Sequence, residues 1–294
     1  MNKPQSGILL APPDQARYLT FSLADVRHIR PCLSALRDLA DGETAVVGLG
    51  ASLATALGKE VPGLKPFPPM TAPGLSIEAA PDALWLWLRG TDRGELLHRS
   101  RRLVAALAPA FRHEETWDAF THRDSRDLTG YEDGTENPKG DDALVAAFVS
   151  EEQAPALAGS SFVAVQRWLH DFSRFEQMPQ GEQDHAIGRR QSDNEELDDA
   201  PPSAHVKRTA QESFEPEAFV LRRSMPWAEG MAGGLVFVAF GHSFDAFEAQ
   251  FRRMTGGEDG IVDALFGFTR PLSGAYYWCP AMKDGKLDLS PLGL

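Results

Sequence analysis

The sequence predicts an α+β protein of two successive β-α-β-β-α-β units, a ferredoxin-like arrangement in which helices pack on antiparallel sheets. Two observations carry this. Apolar residues switch between strand-like alternation and helical spacing in the same order in each half of the chain. The stretch Leu84–Arg89, followed by a helical segment, is echoed by Leu235–Gly241, followed by another.

In the first half, Ala16–Leu23 is a strand by its β-branched and aromatic content. Val26, Ile29, Leu33, Leu36 and Leu39 then recur at helical spacing. Thr44–Leu49 and Ala83–Leu88 are apolar strands, the second carrying Trp85 and Trp87 on one face. Glu95–Phe111 is an amphipathic helix with Leu96, Leu97, Leu103, Val104 and Leu107 toward the core, and Thr116–His122 closes the unit as a strand. In the second half, Ser161–Leu169 is a strand and Arg174–Ile187 a helix. Phe219–Ser224 and Leu235–Phe240 are strands, Phe244–Met254 is a helix and Gly274–Cys279 the final strand. Residues 138–159 and 177–203 are polar connections bearing Pro and Gly, and 193–199 is a solvated acidic loop. The expected division is 1–140 and 141–294.

Composition narrows the function classes. A 43% hydrophobic and 24% charged chain of 294 residues is globular with a substantial core. Its net charge of -13 argues against general binding to nucleic acid or anionic membranes, which favour basic surfaces. Two cysteines, Cys32 and Cys279, form neither a disulfide framework nor a metal motif, though they leave one pairing open. The apolar run after the N-terminus stops at Pro12-Pro13, too short for a signal peptide core, so the expected location is cytoplasmic.

The densest turn chemistry is Gly130-Tyr131-Glu132-Asp133-Gly134-Thr135-Glu136-Asn137-Pro138, which suggests a loop holding Asp133 in a fixed place. Among eight histidines none lies in an HExxH pattern, and His205 stands out in Ser203-Ala204-His205, after a long acidic connection and before a strand. Strand alternation in Leu221-Arg222-Arg223-Ser224 puts Arg222 and Ser224 on one face and Arg223 on the other. By the same rule Leu235 and Phe237 point the same way.

The Gly130–Gly134 stretch resembles the GxxDG signature of the dye-decolorising peroxidases, haem enzymes that use hydrogen peroxide. Ser203-Ala204-His205, Leu221–Trp227, Gly234–Phe240, Ile187-Gly188-Arg189 and the tail from Arg252 to Pro280 resemble further stretches of that family, in the same order. The resemblance implies haem b between the sheet and helices of the C-terminal half, with His205 as the proximal iron ligand. It implies that Asp263, or failing it Asp259, accepts the other N–H of that imidazole, the contact that orients such ligands. Asp133, Arg222 and Ser224 would face peroxide, Leu235 and Phe237 would line the pocket, and Arg189 would bind a haem propionate. Bulky donors call for Trp or Tyr relays near the surface; Trp227, Tyr131 and the Tyr276–Trp278 cluster are candidates, although most aromatic residues here are core. The implied partners are hydrogen peroxide and phenolic, dye-like or other small aromatic reductants, and the chain is expected to form a homo-oligomer. Two other readings fit the fold: a haem carrier or iron-releasing protein, which needs the histidine but no proton shuttle, and a non-haem structural dimer.

Overall fold

The computed structural model describes residues 2–72, 75–77, 79–80 and 82–294. The first half runs β1 (Gln15–Leu23), α1 (Ile29–Leu39), β2 (Ala45–Leu49), α2 (Ala51–Ala56), β3 (Met70–Ala72), β4 (Leu75–Ile77), β5 (Leu84–Gly90), α3 (Arg93–Leu107) and β6 (Phe111–Phe120). After α4 (Asp141–Ala147), the second half runs β7 (Ser161–His170), α5 (Phe172–Gln177), α6 (Gln180–Ile187), α7 (His205–Arg208), β8 (Leu221–Arg222) and β9 (Met225–Glu229). It ends with β10 (Ala232–Gly241), α8 (Asp245–Met254), β11 (Thr269–Cys279), β12 (Met282–Lys283) and β13 (Lys286–Leu287).

The main sheet has the order β6-β1-β5-β2-β11-β7-β10-β8, with β9 also paired to β10. Each half therefore places its first strand between its last and its third, with its second outermost or at the seam, which is the ferredoxin-like order. The two quartets meet edge to edge at β2 and β11, where Trp278 pairs with Leu49. Alternation along β5 divides the core between the faces. Leu84, Leu86 and Leu88 join the cluster that includes Leu33, Leu36 and Leu103 of α1 and α3. Trp85 and Trp87 join Tyr18, Trp117, Trp227 and Tyr277 on the opposite face.

Local chemistry sets the helix ends. Asp92 caps α3 by accepting the Glu95 N–H, and Asp171 caps α5 by accepting that of Arg174. A Met178-Pro179 step interrupts what the sequence reading treats as one helix over 174–187; the proline ring cannot sit inside a helix, so α5 and α6 are separate. Three other expectations need correction. The segment 138–159 contains α4, and the strand expected over 219–224 shrinks to β8, with the Arg223 N–H still on the Val238 carbonyl while its side chain binds the carbonyls of Ile8 and Leu9. Val26, Leu39 and Leu97, assigned to the core by spacing, are exposed at helix margins. Cys32 and Cys279 are buried and free, in the clusters on opposite faces of the sheet.

Candidate active site

A cavity of about 340 Å³ lies against the helix-covered face of the second half, lined by residues of β7, β10, β11, α7 and α8. Its apolar wall includes Leu235 and Phe237 of β10, which alternation turns to the same side, with Phe247 and Phe251 of α8 opposite them. Gln166 on β7 lines it too; its carbonyl accepts from the Trp168 indole, while its buried amide nitrogen finds no acceptor.

His205 opens α7 and lines this cavity. The helical turn holding it sits where the sequence reading expects a loop leading to a strand. The glycine ending α6 makes that turn possible. Gly188 has φ +92, and a Cβ there would come within 2.3 Å of Val206 Cγ2, so only glycine lets α6 and α7 pack this closely. His205 Nδ1 lies 2.8 Å from Asp263 Oδ2. Asp263 is fully buried and its other oxygen accepts the Leu265 N–H at 2.9 Å, so both carboxylate oxygens are committed and the ring is fixed. That leaves His205 Nε2 for the cavity. Asp259 is engaged elsewhere: Arg208 holds it through two hydrogen bonds of 2.7 and 2.8 Å and draws its carboxyl down to about 2.

The acid and the guanidinium come from a different direction. A small hairpin brings Asp133 back beside Ser125, whose carbonyl accepts the Asp133 N–H at 3.1 Å, and an Arg126–Glu132 ion pair of 3.1 Å sits next to it. Asp133 Oδ1 is 3.2 Å from Arg222 Nη1, and each side chain keeps about one fifth of its surface open, at 22% and 21%. Asn137 locks the two segments together. Its amide accepts the Arg222 N–H at 2.7 Å and donates to the Arg222 carbonyl at 3.1 Å, continuing the sheet with a side chain. Gly134 permits that fold-back, with φ +75 and the Asn137 amide 2.8 Å from where a Cβ would stand. The sequence reading marks Asn137-Pro138 only as a turn.

Of the expected residues, Asp133, Arg189, His205, Arg222, Leu235 and Phe237 line the cavity, and Asp263 stands behind His205. Arg189 meets Glu136 at 2.7 Å and Glu196 at 3.5 Å at the rim. Ser224 lines not this cavity but the one beside it, together with Asp133 and Arg222. It accepts the Val238 N–H at 3.3 Å, and its cavity of about 700 Å³ shares Asp127, Asp133, Arg222 and Leu235 with the first. The candidate relays Tyr131, Trp227, Tyr276, Tyr277 and Trp278 are all buried. Asp127 and His170, joined at 3.0 Å, also line the cavity and carry no signal in the sequence reading. Among the described residues no group of three or more His, Cys, Asp and Glu is placed to hold a metal ion, and no helix is long and apolar enough to cross a membrane.

Comparison with known proteins follows the same line. Residues 124–284 match the family model described as Dyp-type peroxidase, C-terminal. The dye-decolorizing peroxidase of Rhodococcus erythropolis is 31% identical over 88% of this chain and 77% of its own length. That of Mycobacterium tuberculosis is 29% identical over 84% and 76%. Among solved structures, a Dyp-type peroxidase from Shewanella oneidensis superposes with a TM-score of 0.88 at 30% identity, covering 96% of this chain and 97% of that one. A DypB variant from Rhodococcus jostii in complex with heme gives 0.85 at 26% identity, covering 93% and 94%.

Proposed function

The chain belongs to the dye-decolorising peroxidase family, and from that premise we propose that it is a haem b peroxidase whose iron ligand is His205 and whose peroxide-facing pair is Asp133 and Arg222. The observation that carries this reading is the cavity itself. An imidazole fixed by a buried carboxylate stands on one side, and an acid–guanidinium pair is held by a separate segment. The residues present fit a flat, mostly apolar macrocycle bearing carboxylates. Aromatic and aliphatic walls would contact its faces and edges, Arg189 lies at the rim to meet a propionate, and the unsatisfied Gln166 amide faces the same space. A neighbour from Rhodococcus jostii carries heme in the same fold.

Haem, when bound, supplies the iron on which peroxide is reduced and the oxidising equivalents then drawn from donors. The protein's part is proton handling and charge stabilisation. Asp133, as a carboxylate, accepts a proton from one peroxide oxygen and returns it to the other as the O–O bond breaks. Arg222 offers the fixed N–H donors of its guanidinium to the departing oxygen. Their 3.2 Å contact holds the carboxylate beside the guanidinium and aims it into the cavity. Asp263 keeps the His205 ring oriented and makes it a stronger ligand. Small aromatic or dye-like donors are the matching reductants, as the relatives' names suggest. The division at residues 140 and 141 belongs to the same reading, supported by the repeated strand order and by Asp133 reaching from the end of the first unit into the second.

Arg222→Leu tests this directly. Stopped-flow mixing of the haem-loaded variant with hydrogen peroxide is expected to show a second-order rate lower by about two orders of magnitude, the loss typical when a developing-charge donor is removed. An unchanged rate would take Arg222 out of the mechanism.

A further inference from the structure

On the reading that Asp133 handles the peroxide proton, we propose that His170 is a positioning residue that sets where Asp133 stands, by gripping the tip of its hairpin through Asp127. His170 is the last residue of β7 and lies opposite Thr269, the first residue of β11. The Thr269 hydroxyl donates to the Leu169 carbonyl at 3.0 Å, so toward the ring it acts as an acceptor, 2.7 Å from His170 Nδ1. The other ring nitrogen, Nε2, then faces Asp127 Oδ2 at 3.0 Å. Phe172 packs its ring across the edge of the imidazole at 5.7 Å, so the histidine is held from three sides.

Asp127 in turn organises the hairpin tip. Its Oδ1 accepts both the N–H and the hydroxyl of Thr129, at 2.8 and 2.6 Å. Its own N–H donates to the Tyr131 carbonyl at 2.8 Å, and its carbonyl accepts the Gly130 N–H at 2.8 Å. From Tyr131 the chain reaches Asp133 in two residues, with the Asp133 N–H on the Ser125 carbonyl. Burial alone would push the Asp127 carboxyl upward; the His170 hydrogen bond and charge, with the Thr129 donors, outweigh it and hold the acid below its ordinary range. The sheet edge therefore grips a carboxylate, the carboxylate grips the turn, and the turn carries Asp133. His170 keeps only 6% of its side chain exposed and Asp127 14%, so water is a poor substitute for either contact.

Two measurements on the haem-loaded protein test this. In His170→Leu, amide hydrogen exchange across residues 125–133 is expected to rise at least about tenfold, because local opening frees the hairpin. Unchanged protection there would overturn the proposal. The second is a double-mutant cycle on the peroxide rate. His170→Leu is expected to slow the wild type on the order of tenfold, as a displaced catalytic group does, and to change the Asp133→Asn background by less than about twofold. Equal losses in both backgrounds would mean a general structural role and overturn it. Asp127→Asn, which keeps an acceptor for Thr129 but removes the charge facing His170, gives the same two readouts if the leucine variant does not fold. If Asp133→Asn itself has no effect on the peroxide rate, the functional reading of Asp133 fails, and the exchange result alone decides whether His170 positions the hairpin.

Discussion

At the scale of single residues, the chain places several charged groups where their environment moves them. Asp82 is half-buried before β5 and accepts the Tyr277 hydroxyl at 3.0 Å. Burial, with help from Glu115 and Glu114, raises its carboxyl to about 6 against the Tyr277 hydrogen bond. An acid with a raised folded value holds a proton that the unfolded chain has released. The contribution of Asp82 to stability is therefore greatest below the ordinary carboxylate range, falls as pH rises toward 6, and stays lower above it. Asp82→Asn keeps the acceptor and removes the charge, so the variant is expected to exceed the wild type at pH 8 by on the order of 1–2 kcal/mol. The gain should vanish near pH 4. Thermal unfolding at both pH values checks this, and a variant less stable at pH 8 would refute it. The site residues were legible unevenly. Asp133, His205 and Arg222 stand in motifs that a reader can recognise. Asn137, Asp127 and His170 do not, because what they do depends on partners 85, 43 and 99 positions away in the chain.

At the scale of elements, periodicity found what it could. The helices α1, α3 and α8 emerge from spacing because each buries one face, and β1, β7 and β10 from their apolar, β-branched and aromatic content because the sheet is covered on both faces. The failures share a cause. β8 and α7 are only 2 and 4 residues long, too short to show any period, and their positions follow from contacts made elsewhere. For β8 that contact is the Asn137 amide; for α7 it is the bare backbone of Gly188. Gly188→Ala therefore tests an element junction. A left-handed alanine and a clash with Val206 should together cost about 2–3 kcal/mol, lower the denaturation midpoint and reduce haem retention by displacing α7. Unchanged midpoint and haem content would show that α6 and α7 are not coupled in this way.

At the scale of the molecule, two like-ordered quartets of strands share one sheet, and the cavity belongs to the second while its acid comes from the segment joining them. The repeated order explains why the fold class could be read from pattern alone: each quartet carries the same alternation of strand and helix periods. The seam at β2 and β11 could not be read that way, since no local pattern specifies which edges meet. The proposed chemistry depends on one imidazole and its buried carboxylate presenting a free nitrogen to that cavity. The most direct measurement is an absorbance titration of the apoprotein with haem, run in parallel on wild type and His205→Ala. The wild type is expected to saturate at one equivalent with a sharp Soret band, and the alanine variant to bind at least about tenfold more weakly with a displaced band. Equal affinity and identical spectra would show that His205 is not the iron ligand.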